Sequence, residues 1–268
     1  MNRILILLYH RILSREETLS SFKAEDRVYP LKVEEFTKQL EYLYYNKWST
    51  LSVSQLVDHL QDKTSIPEKS VIISFDDGNQ SDYTVAFPLL KRYNFKAAFF
   101  LTTDFIEKPG FLKTSQILEM SKEGMEFGTH GKSHKFLPSL EEKELKMELR
   151  DSKRELEELL EKEIKILSLP GGYNNSMIKK VAMAVGYKGI CSSEFWWNDN
   201  KTDPLELKRG SLRYGDSLTY FISLVNMDKM LYFKKKLKDK SLNLLKTFLG
   251  PDKYFKFWNL YQKIIQKS

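Results

Sequence analysis

The feature of this sequence that most constrains its fold is residues 71–78, Val-Ile-Ile-Ser-Phe-Asp-Asp-Gly. A short run of β-branched and apolar residues is typical of a strand that is buried on both faces. Two carboxylates at the tip of such a strand repel each other and lose hydration, and a bound cation is the simplest compensation. The alternative is a strand-turn-helix junction whose acids only cap the next helix. Asp76 and Asp77 are therefore candidate catalytic or metal-binding residues.

Strands and helices alternate along the rest of the chain. Apolar spacing predicts further strands at residues 4–9, 96–101, 125–129, 164–169, 187–191 and 205–212, with helices between most of them. This alternation indicates an α/β fold with a parallel sheet, either a barrel or an open doubly wound sheet. The polar or glycine-rich elements that directly follow predicted strands are His10, Asp76-Asp77, His130 and Pro170-Gly171. Because the carboxyl ends of parallel strands gather on one face, we expect these elements to meet.

A long charged helix is predicted over residues 140–162. Leu145, Leu149 and Leu156 recur at helical spacing there. Ser139 and Glu142 have the spacing of a capping box, which predicts that the helix begins at this point.

The positive charge of the chain is concentrated at its C-terminal end. The net charge is +7, whereas residues 229–268 contain eleven lysines and two aspartates, so that this segment carries +9 and the rest about −2. The prediction is a domain over residues 1–228 with a basic, aromatic-rich helical tail over 229–268. Such a tail suits peripheral contact with an anionic membrane, or it packs its aromatic residues on the domain and leaves its lysines in water. A nucleic-acid partner is not expected, because no recognition module accompanies the lysines.

Two features bear on the compartment. The single cysteine, Cys191, excludes an intramolecular disulfide framework and fits a reducing environment. The apolar run at residues 4–9 is too short for a signal-peptide core or a membrane span. We therefore expect a cytoplasmic protein, associated with the inner membrane surface if the tail binds lipid.

Asp77, His130 and His134 together have the composition of a two-histidine, one-carboxylate metal site with open positions for water and substrate. A cation in such a site activates water for amide or ester hydrolysis. Adjacent side chains diverge, so we assign Asp77 to the metal and Asp76 to the general base. His10 is the candidate general acid, because the ordinary histidine pKa is close to working pH; its alternative role is to cap the first strand.

These residues carry a resemblance to the polysaccharide deacetylase superfamily, the metal-dependent carbohydrate esterases that act on N-acetylated sugars. Residues 74–78 are similar to its first motif, with Asp76 as base and Asp77 as ligand, and residues 130–134 to its second, the paired histidine ligands. Tyr9-His10-Arg11 resembles the branch in which the catalytic histidine comes first, as in poly-N-acetylglucosamine deacetylases. The resemblance implies a distorted β/α barrel and a divalent ion, zinc first, with cobalt, nickel or manganese as alternatives.

The third motif of the family is matched less closely. Pro170, Gly171, Gly172 and Tyr173 are similar to the motif that forms one wall of the substrate groove, where backbone N–H groups also help to hold the oxyanion. The arginine that often orients the base in this motif is missing, since Ser168 and Leu169 occupy its place. The candidates to replace it are Arg11, Arg209 and Arg213.

The sequence thus predicts a divalent-metal hydrolase that removes an N-acetyl group from an amino sugar. The substrate would be an N-acetylated glycan or a lipid-linked or nucleotide-linked sugar. A deformylase or an O-deacetylase acting on a similar carrier is an alternative. A sugar-binding scaffold without turnover is another, suggested by the missing arginine.

Overall fold

The computed structural model describes residues 3–21, 27–62 and 64–235. Most strands in this part of the chain belong to one large sheet and pair in parallel. The strands of the large sheet are β1 (Leu5–Tyr9), β4 (Ser49–Thr50), β5 (Ser70–Asp77), β6 (Ala98–Leu101), β7 (Glu126–Thr129), β8 (Ile166–Ser168), β9 (Gly189–Cys191) and β10 (Arg209–Ser211). Two more short strands, β2 (Ile12–Leu13) and β3 (Leu31–Lys32), pair with each other.

The large sheet curls into a barrel. Its strand order is β10-β1-β5-β6-β7-β8-β9, with β4 added beside the start of β5. Cys191 at the end of β9 bridges in parallel to Leu207, just before β10, so the segment leading into β10 returns the sheet to its first edge. The predicted distorted β/α barrel with mostly parallel strands is confirmed.

The barrel forms because its strands are apolar on both faces. All five residues of β1 are buried, as are all residues of β5 except Asp77. The rings of Tyr9, Phe75 and Phe99 lie one against the next across β1, β5 and β6, with centroids 5.3 and 4.9 Å apart. This packing aligns the carboxyl ends of the three strands. Tyr9 pairs with Phe75, so His10 is the residue that follows β1 next to the acids of β5.

The helices alternate with the strands in sequence, and the last one follows β10. They are α1 (Val33–Tyr45), α2 (Val53–Asp62), α3 (Phe87–Arg92), α4 (Thr114–Lys122), α5 (Glu142–Leu160), α6 (Ser176–Val185) and α7 (Leu218–Val225). A π-helical turn, Asp82–Ala86, leads into α3. The predicted capping box at Ser139 is wrong. Pro138 starts a 3-10 turn, Leu137–Ser139, and the Ser139 hydroxyl donates to the Phe136 carbonyl at 2.7 Å, while Glu141 occupies the cap position of α5.

Two predicted strand ends also differ. The acids do not follow β5 but are its last two residues, because Asp76 and Asp77 pair with Phe100 and Leu101 of β6. The strand expected over residues 205–212 is shorter, since Asp203 accepts the Leu205 N–H and sets a 3-10 turn, Pro204–Glu206, before β10.

The compact unit that contains the barrel spans Met1–Val225, and a second unit, Asn226–Ser268, follows it. Residues 229–235 are helical, while the rest of the predicted basic tail, 236–268, lies outside the described residues. None of the helices in the described part of the chain has the length and hydrophobicity needed to cross a membrane.

Candidate active site

Asp76 lies inside the barrel and is bound by an arginine. Its side chain is 3% exposed, and the Arg209 guanidinium donates to both carboxylate oxygens at 2.8 Å, Nη1 to Oδ1 and Nη2 to Oδ2. Burial by itself raises the pKa of Asp76, but the charge and hydrogen bonds of Arg209 outweigh it, so that the pKa is lowered overall. Asp76 is thus an ionised carboxylate in a fixed orientation.

Arg209 is fixed in turn by other polar groups. Its Nε donates to the Ser192 carbonyl at 2.8 Å, and its Nη2 to the Ser168 hydroxyl at 2.9 Å. Ser168 also donates to Oδ2 of Asp76 at 3.0 Å. Of the three candidate arginines, Arg209 is therefore the one that binds both oxygens of the Asp76 carboxylate. Arg11 donates instead to Glu17 at 3.0 Å, and the Arg213 guanidinium lies over the ring of Tyr29, 6.0 Å from its centroid.

Asp77, the next residue, faces two histidines. Its Oδ1 lies 3.6 Å from Nε2 of His130 and 3.4 Å from Nε2 of His134. One ligand atom from each of the three residues lies within 4.8 Å of the other two. Two ligands that are each about 2.1 Å from a tetrahedral ion lie about 3.4 Å apart, so the spacing fits a metal ion.

The tautomer of His130 also suits a metal ligand. Its Nδ1 lies 3.0 Å from the Ser168 carbonyl, which can only accept, so Nδ1 carries the proton and Nε2 presents its lone pair to the cluster. Burial lowers the pKa of His130, which favours the neutral ligand form. Burial raises the pKa of Asp77, but the hydrogen bond with His134 and the nearby histidine charges lower it overall, so Asp77 is ionised.

Two of the three cluster residues have an unusual backbone. The φ angles of Asp77 and His134 are +79° and +60°, in the left-handed region that side chains other than glycine rarely adopt. Such conformations cost about 1–3 kcal/mol each and persist where the surroundings enforce them, often at functional sites. The conformation turns both side chains toward a common point.

The loop that carries the histidines is held by α5. Glu148 is 6% exposed and accepts the Ser133 N–H at 2.6 Å and its hydroxyl at 2.9 Å. Two helical turns further along α5, Glu155 binds the Lys132 ammonium group and accepts a hydrogen bond from the Thr103 hydroxyl at 2.6 Å. Carboxylates on one face of α5 thereby fix the loop between the two ligands.

His10 lies beside the acids, at the end of β1. Burial lowers its pKa, and the negative charges of Asp77 and Asp76 oppose this effect. Its Nδ1 is buried without a hydrogen-bond partner in the described part of the chain, and its ring lies against Tyr29, with centroids 4.8 Å apart. The protonated form of His10 is thus a stronger acid than an ordinary histidinium, although it is less populated at neutral pH.

The glycine loop after β8 forms another side of the site. Pro170–Gly172 is a 3-10 turn in which Gly171 and Gly172 have φ angles of +71° and +74°. A Cβ on Gly172 would lie 2.1 Å from the Ser193 hydroxyl oxygen, so no larger residue fits. The Gly172 N–H donates to the Leu169 carbonyl at 2.8 Å, which removes it as an oxyanion donor, contrary to the sequence interpretation.

The structure therefore brings the predicted Asp76, Asp77, His10, His130 and His134 to one end of the barrel. Sequence reasoning missed the contributions of Ser168 and Glu148. A signal for Glu148 was present, because it lies on the apolar stripe of α5 next to Leu145 and Leu149, where a glutamate needs a buried partner. Ser168 carried no comparable signal.

Fold and site together define a β/α-barrel protein with a candidate metal-assisted hydrolytic centre at the carboxyl ends of its strands. Comparison with known proteins identifies the family to which this kind of site belongs. Residues 63–190 match the model of the polysaccharide deacetylase family. Residues 63–190 therefore contain a polysaccharide deacetylase domain, in agreement with the motifs.

Individual relatives agree with this assignment. The chain is 31% identical over 183 residues to YxkH of Bacillus subtilis, a protein named for polysaccharide deacetylation. The aligned region covers 68% of this chain and 62% of YxkH. The chain is also 31% identical over 158 residues to the poly-β-1,6-N-acetyl-D-glucosamine N-deacetylase of Staphylococcus epidermidis, covering 52% of this chain and 54% of that one. The chain thus spans less than two thirds of the length of these relatives.

A solved structure shares the fold. The deacetylase PplD of Streptococcus pyogenes, in complex with acetate, superposes with a TM-score of 0.77 at 24% identity, over 83% of this chain and 98% of that one.

Proposed function

We propose that this protein is a divalent-metal hydrolase that removes the N-acetyl group from amino sugars of a glycan. The observation that carries the proposal is the Asp77, His130 and His134 cluster beside a carboxylate that Arg209 holds ionised. One part of the site is suited to hold a cation, and the other to accept a proton.

Asp77, His130 and His134 would hold the ion, and we propose zinc, which in catalytic sites takes three protein ligands, such as imidazoles and a carboxylate, and keeps a fourth position open. When bound, a cation supplies a Lewis acid that polarises the acetamide carbonyl and lowers the pKa of water. The neutral tautomer of His130 and the ionised Asp77 fit this task.

The remaining steps use protein groups. Asp76 accepts the proton of the attacking water, and Arg209 keeps its carboxylate oriented and ionised before each turnover. His10 protonates the departing sugar amine as the C–N bond breaks. The Gly171 N–H is the remaining candidate oxyanion donor in the glycine loop, and Tyr173 borders the groove.

The names of the relatives support the acetyl group and the sugar. The Staphylococcus epidermidis relative is named for N-deacetylation of a poly-N-acetylglucosamine, and the PplD structure contains acetate. The cytoplasmic location and the membrane contact through residues 229–268 stay predictions.

The direct test is to incubate the purified protein, with and without one equivalent of zinc, with N-acetylglucosamine oligomers and to measure acetate and free amine together. Equal amounts of both products, lost on chelation and restored by zinc, are expected. Formate release from N-formyl oligomers, or acetate without amine from O-acetylated ones, would support the alternatives. Full activity in metal-stripped protein would refute the mechanism.

A further inference from the structure

A cavity lies on the side of the barrel that carries the general acid. Its volume is about 410 Å³, within the range of about 300–1,000 Å³ that is typical of ligand pockets. It is lined by the end of β2 and the loop that follows, by Lys32 and Glu34 at the junction of β3 and α1, and by Tyr214 after β10. The steps of the proposed mechanism use none of these residues.

An ion pair connects His10 with one side of this cavity. Arg11, the residue after His10, donates to the Glu17 carboxylate at 3.0 Å, and Glu17 is part of the cavity lining. The same carboxylate accepts the Ser14 N–H at 3.0 Å, which fixes the loop after β2 against the residue that follows the general acid.

A second set of contacts connects His10 with the opposite side. The ring of Tyr29 lies against that of His10, with centroids 4.8 Å apart. The carbonyl of Val28, the preceding residue, accepts the Tyr214 N–H at 3.3 Å, so Tyr214 lies next to Tyr29. The cavity is thus one layer of side chains away from the group that protonates the departing amine. A glycan that is bound at the metal cluster and continues past His10 reaches it with a neighbouring sugar.

One charged side chain of the lining is not balanced by an opposite charge. The acids are paired, Glu17 with Arg11 and Glu34 with Arg15 at 3.4 Å. Lys32 differs, because among residues 3–21, 27–62 and 64–235 no carboxylate lies within 4.0 Å of its ammonium group. This group lies instead over the ring of Tyr214, 5.4 Å from the centroid. The cavity therefore presents an ammonium group that is available to a ligand.

This arrangement favours an anionic ligand group. A carboxylate or a phosphate accepts charge-assisted hydrogen bonds from an ammonium group, and these are stronger than the bonds that a neutral hydroxyl or acetamido group makes. The Tyr214 ring attracts the ammonium group and restricts its position without neutralising its charge. Neutral sugars gain little from Lys32, whereas a sugar with a negative charge gains an ion pair.

We propose that this cavity is a subsite for a sugar that bears an anionic group, and that Lys32 recognises the anion. The preferred substrate is then a glycan in which the amino sugar that loses its acetyl group is followed by a sugar with a carboxylate or a phosphate, and not a neutral polymer of N-acetylglucosamine. This inference rests on the proposed function and names its substrate class.

The test compares kcat/KM for acetate release within two matched pairs of substrates. The first is a tetrasaccharide of alternating N-acetylglucosamine and N-acetylmuramic acid, whose lactyl groups are carboxylates, and its neutral methyl ester. The second is the N-acetylglucosamine tetramer with and without 6-phosphate groups. We expect the wild type to prefer the anionic member of at least one pair by about fivefold, the upper range for an ion pair that water reaches, and salt to reduce this preference. The pair with the larger preference identifies the anion.

Variants of Lys32 assign the preference to the cavity. K32Q removes the charge and should bring the ratio of the two kcat/KM values close to one, whereas K32R keeps the charge and should retain the preference. Lys38 provides the matched control, because it is an exposed lysine of α1 whose ammonium group is paired with Glu35 at 2.7 Å. K38Q removes the same charge from the protein and is expected to keep the wild-type ratio.

Two results would overturn the inference. They are equal kcat/KM values for the anionic and neutral members of both pairs in the wild type, and a preference that K32Q and K38Q change by the same factor. Failure of the proposed function is distinguishable, because no substrate would then release acetate. In that case, calorimetric binding of both pairs to the wild type and K32Q still tests the subsite. Affinities of the wild type that do not differ within either pair would refute it.

Discussion

Two adjacent aspartates at the end of β5 have opposite environments. Asp76 lies inside the barrel with its charge balanced by Arg209, whereas Asp77 is 26% exposed in a left-handed conformation and faces two histidines. Successive residues of a strand point to opposite sides, so one pair of identical side chains serves two purposes. In the base region, Asp76 and Arg209, the protein itself balances the carboxylate charge. In the ligand region, Asp77, His130 and His134, a bound cation is needed to balance the charge of Asp77.

The largest effect is expected in the ligand region. Replacement of Asp77 or His130 with alanine removes one of three ligands, and we expect bound metal to fall to background and kcat/KM to drop by at least about a thousandfold. Metal content and acetate release should be measured on the same preparation. Wild-type metal content in D77A would contradict the assignment of Asp77 as a metal ligand.

D76N is the matched change in the base region. It removes the proton acceptor but leaves the three ligands in place, so we expect kcat/KM to fall by about 10²–10⁴-fold with metal content unchanged. If D76N lost its metal together with its activity, Asp76 would belong to the ligand set and the comparison would fail.

Replacement of Arg209 tests whether this residue keeps Asp76 ionised before the substrate binds. In R209Q, burial is no longer opposed by the guanidinium, so the pKa of Asp76 rises. Since the base must be ionised, residual activity in R209Q should fall at a higher pH on the acidic side than in the wild type. An acidic limb at the wild-type position would show that Arg209 does not control this carboxylate.

The same variant should lose stability. Removal of one partner from a buried ion pair costs about 3–5 kcal/mol, measured as the free energy of unfolding in urea. Because the pKa of Asp76 is lowered in the folded wild type, this stabilisation is present above the unfolded pKa and is lost as the pH falls through the folded one. R209Q should therefore show a weaker decline in stability between neutral and acidic pH than the wild type.

The smallest effect concerns the support of the ligand loop. E148Q keeps the shape of Glu148 but weakens its acceptance of the Ser133 N–H and hydroxyl. We expect metal affinity to fall by about 10–100-fold, as for other groups that orient metal ligands. E158Q is the matched control, because the Glu158 side chain is 70% exposed on the same helix. Equal metal affinities in E148Q and E158Q would show that Glu148 does not orient the ligand loop.

Much of the architecture was predictable because strong local patterns encode it. The apolar runs of β1 and β5 and the helical spacing of α5 depend on neighbours in sequence. The motif residues could be placed on one face because parallel strands share their direction. The partner of Asp76 was not predictable in this way, since Arg209 is 133 residues away and three arginines had equal claims.

The errors arose where local chemistry had two outcomes. Ser139 had the spacing of a capping residue, but Pro138 fixed a 3-10 turn around it. The Gly172 amide had the composition of an oxyanion donor, but the positive φ angles of the loop direct it to the Leu169 carbonyl. In both cases the backbone conformation of a short turn decided the outcome, and composition does not specify it.

The central claim is that Asp77, His130 and His134 close on one divalent ion. X-ray absorption spectroscopy of the protein loaded with one equivalent of zinc tests it most directly. The account predicts a first shell of nitrogen and oxygen atoms at about 2.0–2.2 Å with scattering from two imidazoles. A shell that contains sulfur from Cys191, whose thiol pKa burial raises to about 12, or one without imidazole scattering, would contradict it.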